Sequence, residues 1–119
     1  MKTPKKPESE FDGLKRAVDA GNASAEDVFR LARLYYRGEG VAANKAMAVN
    51  LFQQAADNGD GYAAFDAADM YRDGDGVPKE LNKACEYYKK AKEIFPTWGL
   101  PQQRAEEICQ KSVQKTRKR

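Results

Sequence analysis

Apolar residues recur at helical spacing along most of the chain, and the pattern is punctuated by glycine. Val28, Leu31, Ala32, Leu34 and Tyr35 fall on one face of a helix that Ser24 opens, with Asp27 completing an approximate capping box, and that Gly38 and Gly40 end. Asn44 caps a second helix whose apolar face is Ala48, Leu51, Phe52, Ala55 and Ala56, closed by Asn58-Gly59. The same plan follows again: Ala64, Ala67, Ala68, Met70 and Tyr71 line one helix, and Ala84, Tyr87, Tyr88 and Ala91 line its partner. Ser9 starts a short leading helix over about 10–20. Pro96 and Gly99 break the chain before a last helix with Pro101 in its first turn and Ala105, Ile108, Cys109 and Val113 on its apolar side.

The two central segments are copies. Gly38-Glu39-Gly40-Val41 returns as Gly74-Asp75-Gly76-Val77 at an offset of 36 residues, and Phe29/Phe65, Ala32/Ala68, Tyr35/Tyr71, Ala48/Ala84 and Ala55/Ala91 keep the same register. A period of that size is the mark of a solenoid, in which a helical hairpin that cannot bury its own apolar face stacks on its copy. The expected fold is therefore all-α: a short α-solenoid of helix–turn–helix repeats, about six helices, with full repeats over 25–60 and 61–96 and a capping helix on either side. The solenoid should occupy 9–114, after a disordered lead over 1–8 and before a basic tail over 115–119.

Composition narrows the functional classes. The 119 residues are enough for one domain with a modest core. No apolar run approaches the roughly 20 residues of a membrane helix, and no secretory signal is visible, so membrane insertion is not expected and the expected location is cytoplasmic. Histidine is absent, which removes the commonest general base and metal ligand. With no nucleophile motif and no phosphate-binding loop after a strand, a non-enzymatic chain without cofactors or a small-molecule substrate is expected. The net charge of +3 conceals a division. Lys2, Lys5 and Lys6 at the start and Lys111, Lys115, Arg117, Lys118 and Arg119 at the end leave a body with 13 basic and 18 acidic residues. Cys85 and Cys109 are too few for a disulfide framework and are read as buried free thiols, with a bridge left open.

Superposing the copies exposes a charge inversion. Arg30, Arg33 and Arg37 stand where the second copy has Asp66, Asp69 and Asp73, each triplet at i, i+3, i+7 on one helix face. Two readings follow. The stripes form an inter-repeat ladder that fixes stacking, or they form a bipolar groove for a partner. The aspartates lack the alternating spacing of a calcium loop. Tyr36, Tyr62 and Trp98 fall outside the repeated pattern and are candidates for an exposed anchor, although Trp98 can equally plug the end of the stack. Tyr35, Tyr71, Tyr87 and Tyr88 belong to the repeat and should pack inside.

The run Ala64-Phe65-Asp66-Ala67-Ala68-Asp69-Met70-Tyr71-Arg72-Asp73-Gly74-Asp75-Gly76-Val77-Pro78, followed by Asn82-Lys83-Ala84-Cys85-Glu86-Tyr87-Tyr88-Lys89-Lys90-Ala91, resembles the SEL-one-like repeat, a relative of the tetratricopeptide repeat. Met47-Ala48 stands in the first copy where Lys-Ala is usual, and Ala32 and Ala68 replace a glycine common in the family. The resemblance implies scaffolding and adaptor surfaces. Some secreted members carry a disulfide in every repeat, from cysteines about seven apart. Cys85 and Cys109 do not fit that spacing, so neither those disulfides nor the penicillin-related activity suggested for such members carries over. The expectation is thus a protein–protein interaction module whose partner-binding residues are Arg30, Arg33, Arg37, Tyr36, Tyr62, Asp66, Asp69, Asp73 and Trp98. One alternative is a bacterial immunity or inhibitor protein that neutralises a toxin or effector by direct binding. Another is a nucleic-acid-associated protein using the basic residues from Lys111 onward.

Overall fold

The computed structural model describes residues 8–117, with side chains through Lys111. The expected lead over 1–8 falls outside them except for Glu8. Six helices follow one another among the described residues: α1 (Glu10–Asp19), α2 (Ala25–Arg37), α3 (Lys45–Asp57), α4 (Gly61–Asp73), α5 (Leu81–Ile94) and α6 (Gly99–Arg117). The expected all-α solenoid is what forms.

Local chemistry sets the boundaries. At the start of α1, Ser9 Oγ accepts from the Asp12 amide at 3.1 Å. Ser24 and Asp27 make a reciprocal capping box on α2. Asn44 caps α3 through the Met47 amide at 3.0 Å, and Asp60 caps α4 through the Ala63 amide at 3.0 Å. Both α2 and α4 end on glycines in the left-handed region, Gly38 at φ 73° and Gly74 at φ 68°. The chain then reverses identically in both copies. Asn44 N–H donates to the Tyr35 carbonyl at 2.8 Å, and Glu80 N–H to the Tyr71 carbonyl at 2.9 Å.

α2 packs on α3 and α4 on α5 as two hairpins, α3 joins them, and α1 and α6 cover the ends. Alanine makes the close approaches possible: Ala32, Ala48, Ala55, Ala64, Ala67, Ala68, Ala84 and Ala91 are all 0% exposed. Leu31, Phe52, Met70 and Tyr88 fill the remaining core, each large apolar side chain contributing about 1.5–3 kcal/mol by its burial. Tyr35, Tyr71 and Tyr88 are buried as expected. Tyr87 is not: it is half-buried, its ring stacked on Tyr71 at 6.3 Å between centroids.

The cysteines correct the sequence reading. Cys85 and Cys109 form a disulfide between α5 and α6, with a Cα–Cα distance of 5.0 Å, and both are only partly buried. The within-repeat spacing of secreted relatives is no guide here, because this bridge ties a repeat helix to the capping helix that folds back along it. Disulfides persist in oxidising compartments, so the bridge runs against the cytoplasmic expectation. No helix among the described residues is long and apolar enough to cross a membrane.

Candidate functional site

A groove of about 480 Å³ runs between α2 and α4. Its first wall is one face of α2, from Phe29 through Arg33 and Tyr36 to Arg37. Tyr62, Asp66, Asp69, Met70 and Asp73 of α4 make the second wall. Phe52 lies at the base, Asp75 of the second turn closes one end, and Trp98 of the α5–α6 turn closes the other. Eight of the nine residues singled out in the sequence therefore line one groove. Arg30 is the exception: its guanidinium lies 3.1 Å from Glu10 of α1 and faces an adjoining depression.

The charge ladder does not form. Among the described residues, no arginine of α2 comes within 4 Å of an aspartate of α4. The arginines take other partners. Arg33 lies over the Phe29 ring at 5.6 Å, and Arg37 lies 4.0 Å from Glu39. On the opposite wall, Arg72 forks onto Asp73 at 2.8 and 2.9 Å and reaches Asp69 at 3.3 Å. Asp69 also accepts from the Tyr88 hydroxyl, and Asp75 accepts from the Tyr36 hydroxyl and from Lys45 at 2.7 Å. The physical reason is competition from nearer partners. Repeat-equivalent positions point the same way on both helices, so matched stripes lie side by side. Arg33 and Asp69, like Arg37 and Asp73, are equivalent by alignment and line the same groove, but each side chain is taken by a nearer partner on its own side.

Asp66 alone among the four groove aspartates accepts no hydrogen bond and joins no ion pair with the described residues. Burial first, then the like charge of Asp69, pushes its carboxyl up to about 6, against the downward pull of Arg33 and Arg37. Asp73 is held below the usual carboxylate range by its hydrogen bond from Arg72, and Asp75 by those from Lys45 and then Tyr36.

Aromatic rings line the other end. Tyr62 is 54% exposed, yet its ring touches Phe29 at 6.4 Å, Phe95 at 4.8 Å and Trp98 at 5.5 Å between centroids. Trp98 is half-buried against Phe65 at 5.0 Å, so it both plugs the stack and faces the groove. Tyr36 is half-buried and spends its hydroxyl on Asp75. Sequence reasoning missed Phe29, Phe52, Met70 and Asp75 as lining residues. The spacing 29, 33, 36, 37 on α2 carried the signal, but Phe29 repeats as Phe65 and so reads as packing. Of the basic residues assigned to nucleic acid, Lys111 is exposed, and the side chains of Lys115, Arg117, Lys118 and Arg119 lie outside the described residues.

Comparison with known proteins places this groove in context. A family model described as Sel1 repeat matches residues 25–60 and 61–93. Among solved structures, a Sel1 repeat protein from Oxalobacter formigenes superposes with a TM-score of 0.65 at 25% identity, covering 71% of this chain and 34% of that one. The protein c5321, a protective antigen present in uropathogenic Escherichia coli strains and displaying an SLR fold, superposes at 0.64 and 29% identity, covering 70% of this chain and 17% of that one. The chain thus spans about a third or less of the length of these relatives. No curated protein matches it.

Proposed function

Because this chain belongs to the Sel1 repeat family, whose members generally mediate protein–protein interaction, we propose that it is a non-enzymatic interaction module that presents the α2–α4 groove to a protein partner. The observation that carries this reading is the groove's composition. Exposed Tyr62 and Arg37 and half-buried Trp98 and Arg33 converge on one depression held by two packed hairpins. Tyrosine, tryptophan and arginine are the residues that dominate interface energetics. A stacked α-helical frame holds them with little freedom to lose on binding, which lowers the cost of association.

The test is quantitative co-purification from the source organism, with cross-linking. A partner should be retained by the unmodified chain and by Lys89→Ala, an exposed position on α5 that does not line the groove. Tyr62→Ala and Arg37→Glu should each lose it. Retention of the same proteins by all four chains would overturn the assignment of the groove.

A further inference from the structure

We propose that the groove receives a basic side chain, arginine or lysine, from the bound partner segment, with Asp66 as its counter-ion and the Tyr62 and Trp98 rings as its walls. This rests on the interaction-module reading above and specifies the chemistry of the partner.

The groove has unfilled capacity for a cation. Four aspartates line it, and the chain supplies donors to three of them. Asp69 has the Tyr88 hydroxyl and an ion-pair contact with Arg72, Asp73 has two hydrogen bonds from Arg72, and Asp75 has Tyr36 and Lys45. Asp66 has none among the described residues, although it is partly buried. A carboxylate withdrawn from water without a donor costs free energy, and the ordinary remedy is a nearby cation. The chain's own arginines act on Asp66 only from beyond ion-pair distance, since Arg33 stays over Phe29 and Arg37 beside Glu39.

The surroundings suit a cation with a long apolar stem. Tyr62 precedes Asp66 by one helical turn, so ring and carboxylate share a face. Trp98 stands 5.5 Å from Tyr62, and Met70 continues the lining past Asp66. Aromatic faces attract ammonium and guanidinium groups, and the methylenes of lysine or arginine cover apolar surface while the head pairs with an acid. Occupation would also pull the Asp66 carboxyl down from about 6. The groups that act on it are Asp69 of its own helix, Asp60 at the start of α4, and Arg33 and Arg37 of α2.

A phage-displayed library of random peptides, selected near neutral pH on the full chain, tests this directly. The recovered peptides should share an arginine or lysine at one position. In a synthetic peptide of the strongest binder, norleucine at that position should weaken binding by roughly tenfold or more, the scale of a charge-assisted pair. Asp66→Asn should weaken it equally, while Asp57→Asn, the same charge change outside the groove, should not. Lowering the pH to about 5 should weaken the basic peptide but not its norleucine form. Because the norleucine arm alters only the peptide, the outcome does not depend on how the protein variants fold. Peptides that depend on Tyr62 but share no basic residue would overturn the Asp66 subsite and leave the interaction reading standing. A library yielding no peptide that depends on Tyr62 would sink both. Tighter binding by synthetic peptides of residues 1–8 or 111–119 would assign the groove to the chain itself and overturn a separate partner.

Discussion

Lys45 Nζ lies 2.7 Å from Asp75 Oδ1, a contact that ties the start of α3 to the second glycine turn. The other carboxylate oxygen accepts from the Tyr36 hydroxyl of α2, and Lys45 sits 5.1 Å from the centroid of the Tyr36 ring. One carboxylate thus gathers three elements from two repeats. Asp75→Ala should destabilise the chain by about 1–2 kcal/mol, the scale of hydrogen bonds to a charged group. Asp19→Ala, which breaks only the exposed Lys15–Asp19 pair within α1, should cost measurably less. Urea denaturation of both variants gives the comparison. Equal losses would reduce the Asp75 cluster to an ordinary surface pair.

The turn beside that cluster supports a second prediction. Gly76 has φ 79°, and a Cβ there would run into the Lys45 side chain and come within 3.1 Å of its carbonyl carbon. Gly21 has a similar φ of 77°, and a Cβ added there would meet nothing within 4 Å. Gly21→Ala therefore reports backbone strain alone, about 1 kcal/mol. Gly76→Ala adds a steric conflict between repeats and should lose about 1–3 kcal/mol more. Thermal melts of the two variants check it, and coincident midpoints would show that the second repeat does not seat its turn on α3.

Much of this was legible because the fold is local. α2, α3 and α4 are each set by a cap, a glycine and an apolar face within a dozen or so residues, and the repeat copies much of that plan, so Ser24, Asn44 and the paired glycines could be read without knowing any distant contact. What escaped was relational. The charge inversion between Arg33 and Asp69 was visible, but not that each side chain finds a nearer partner on its own helix, Phe29 for Arg33 and Arg72 for Asp69. Arg30, which shares a stripe with Arg33, in fact turns away from the groove. The Cys85–Cys109 bridge was missed for a similar reason: its 24-residue separation means little until α6 is known to fold back on α5.

That bridge supports a further prediction. α6 is seated by Pro101, Ala105 and Ile108, and the disulfide fastens it to α5. Closing a loop of this length stabilises a chain by about 2–4 kcal/mol. Reduction should lower global stability by that amount and should raise amide hydrogen exchange in α6 before it does so in α2 to α4. The double substitution Cys85→Ser, Cys109→Ser should reproduce the effect without reductant. A uniform rise across all six helices would mean that the chain unfolds as one unit with no separate contribution from its cap.

Asp66 shifts in the opposite direction from Asp73 and Asp75 and leaves its own mark on the pH dependence. Its carboxyl is raised from 3.8 to about 6 in the folded chain, so the native state holds that proton more tightly than the unfolded state does. The stabilisation from protonated Asp66 is full below about pH 4 and is lost as the pH rises through about 6. Asp73 and Asp75 shift the other way, and their contribution is lost only as the pH falls below the usual carboxylate range. Between about pH 4 and 6 Asp66 therefore contributes a fall in stability with rising pH. At roughly 1.4 kcal/mol per unit, reduced for partial solvation, ionised Asp66 costs the free protein about 1–2 kcal/mol at neutral pH. Asp66→Asn should accordingly exceed the unmodified chain in stability at neutral pH and converge with it near pH 4, as measured by denaturant midpoints across that range. The same substitution should weaken a basic peptide in the groove. A variant more stable alone and poorer in binding is the signature of a carboxylate held for a partner, whereas a loss of stability at neutral pH would show that Asp66 serves the fold.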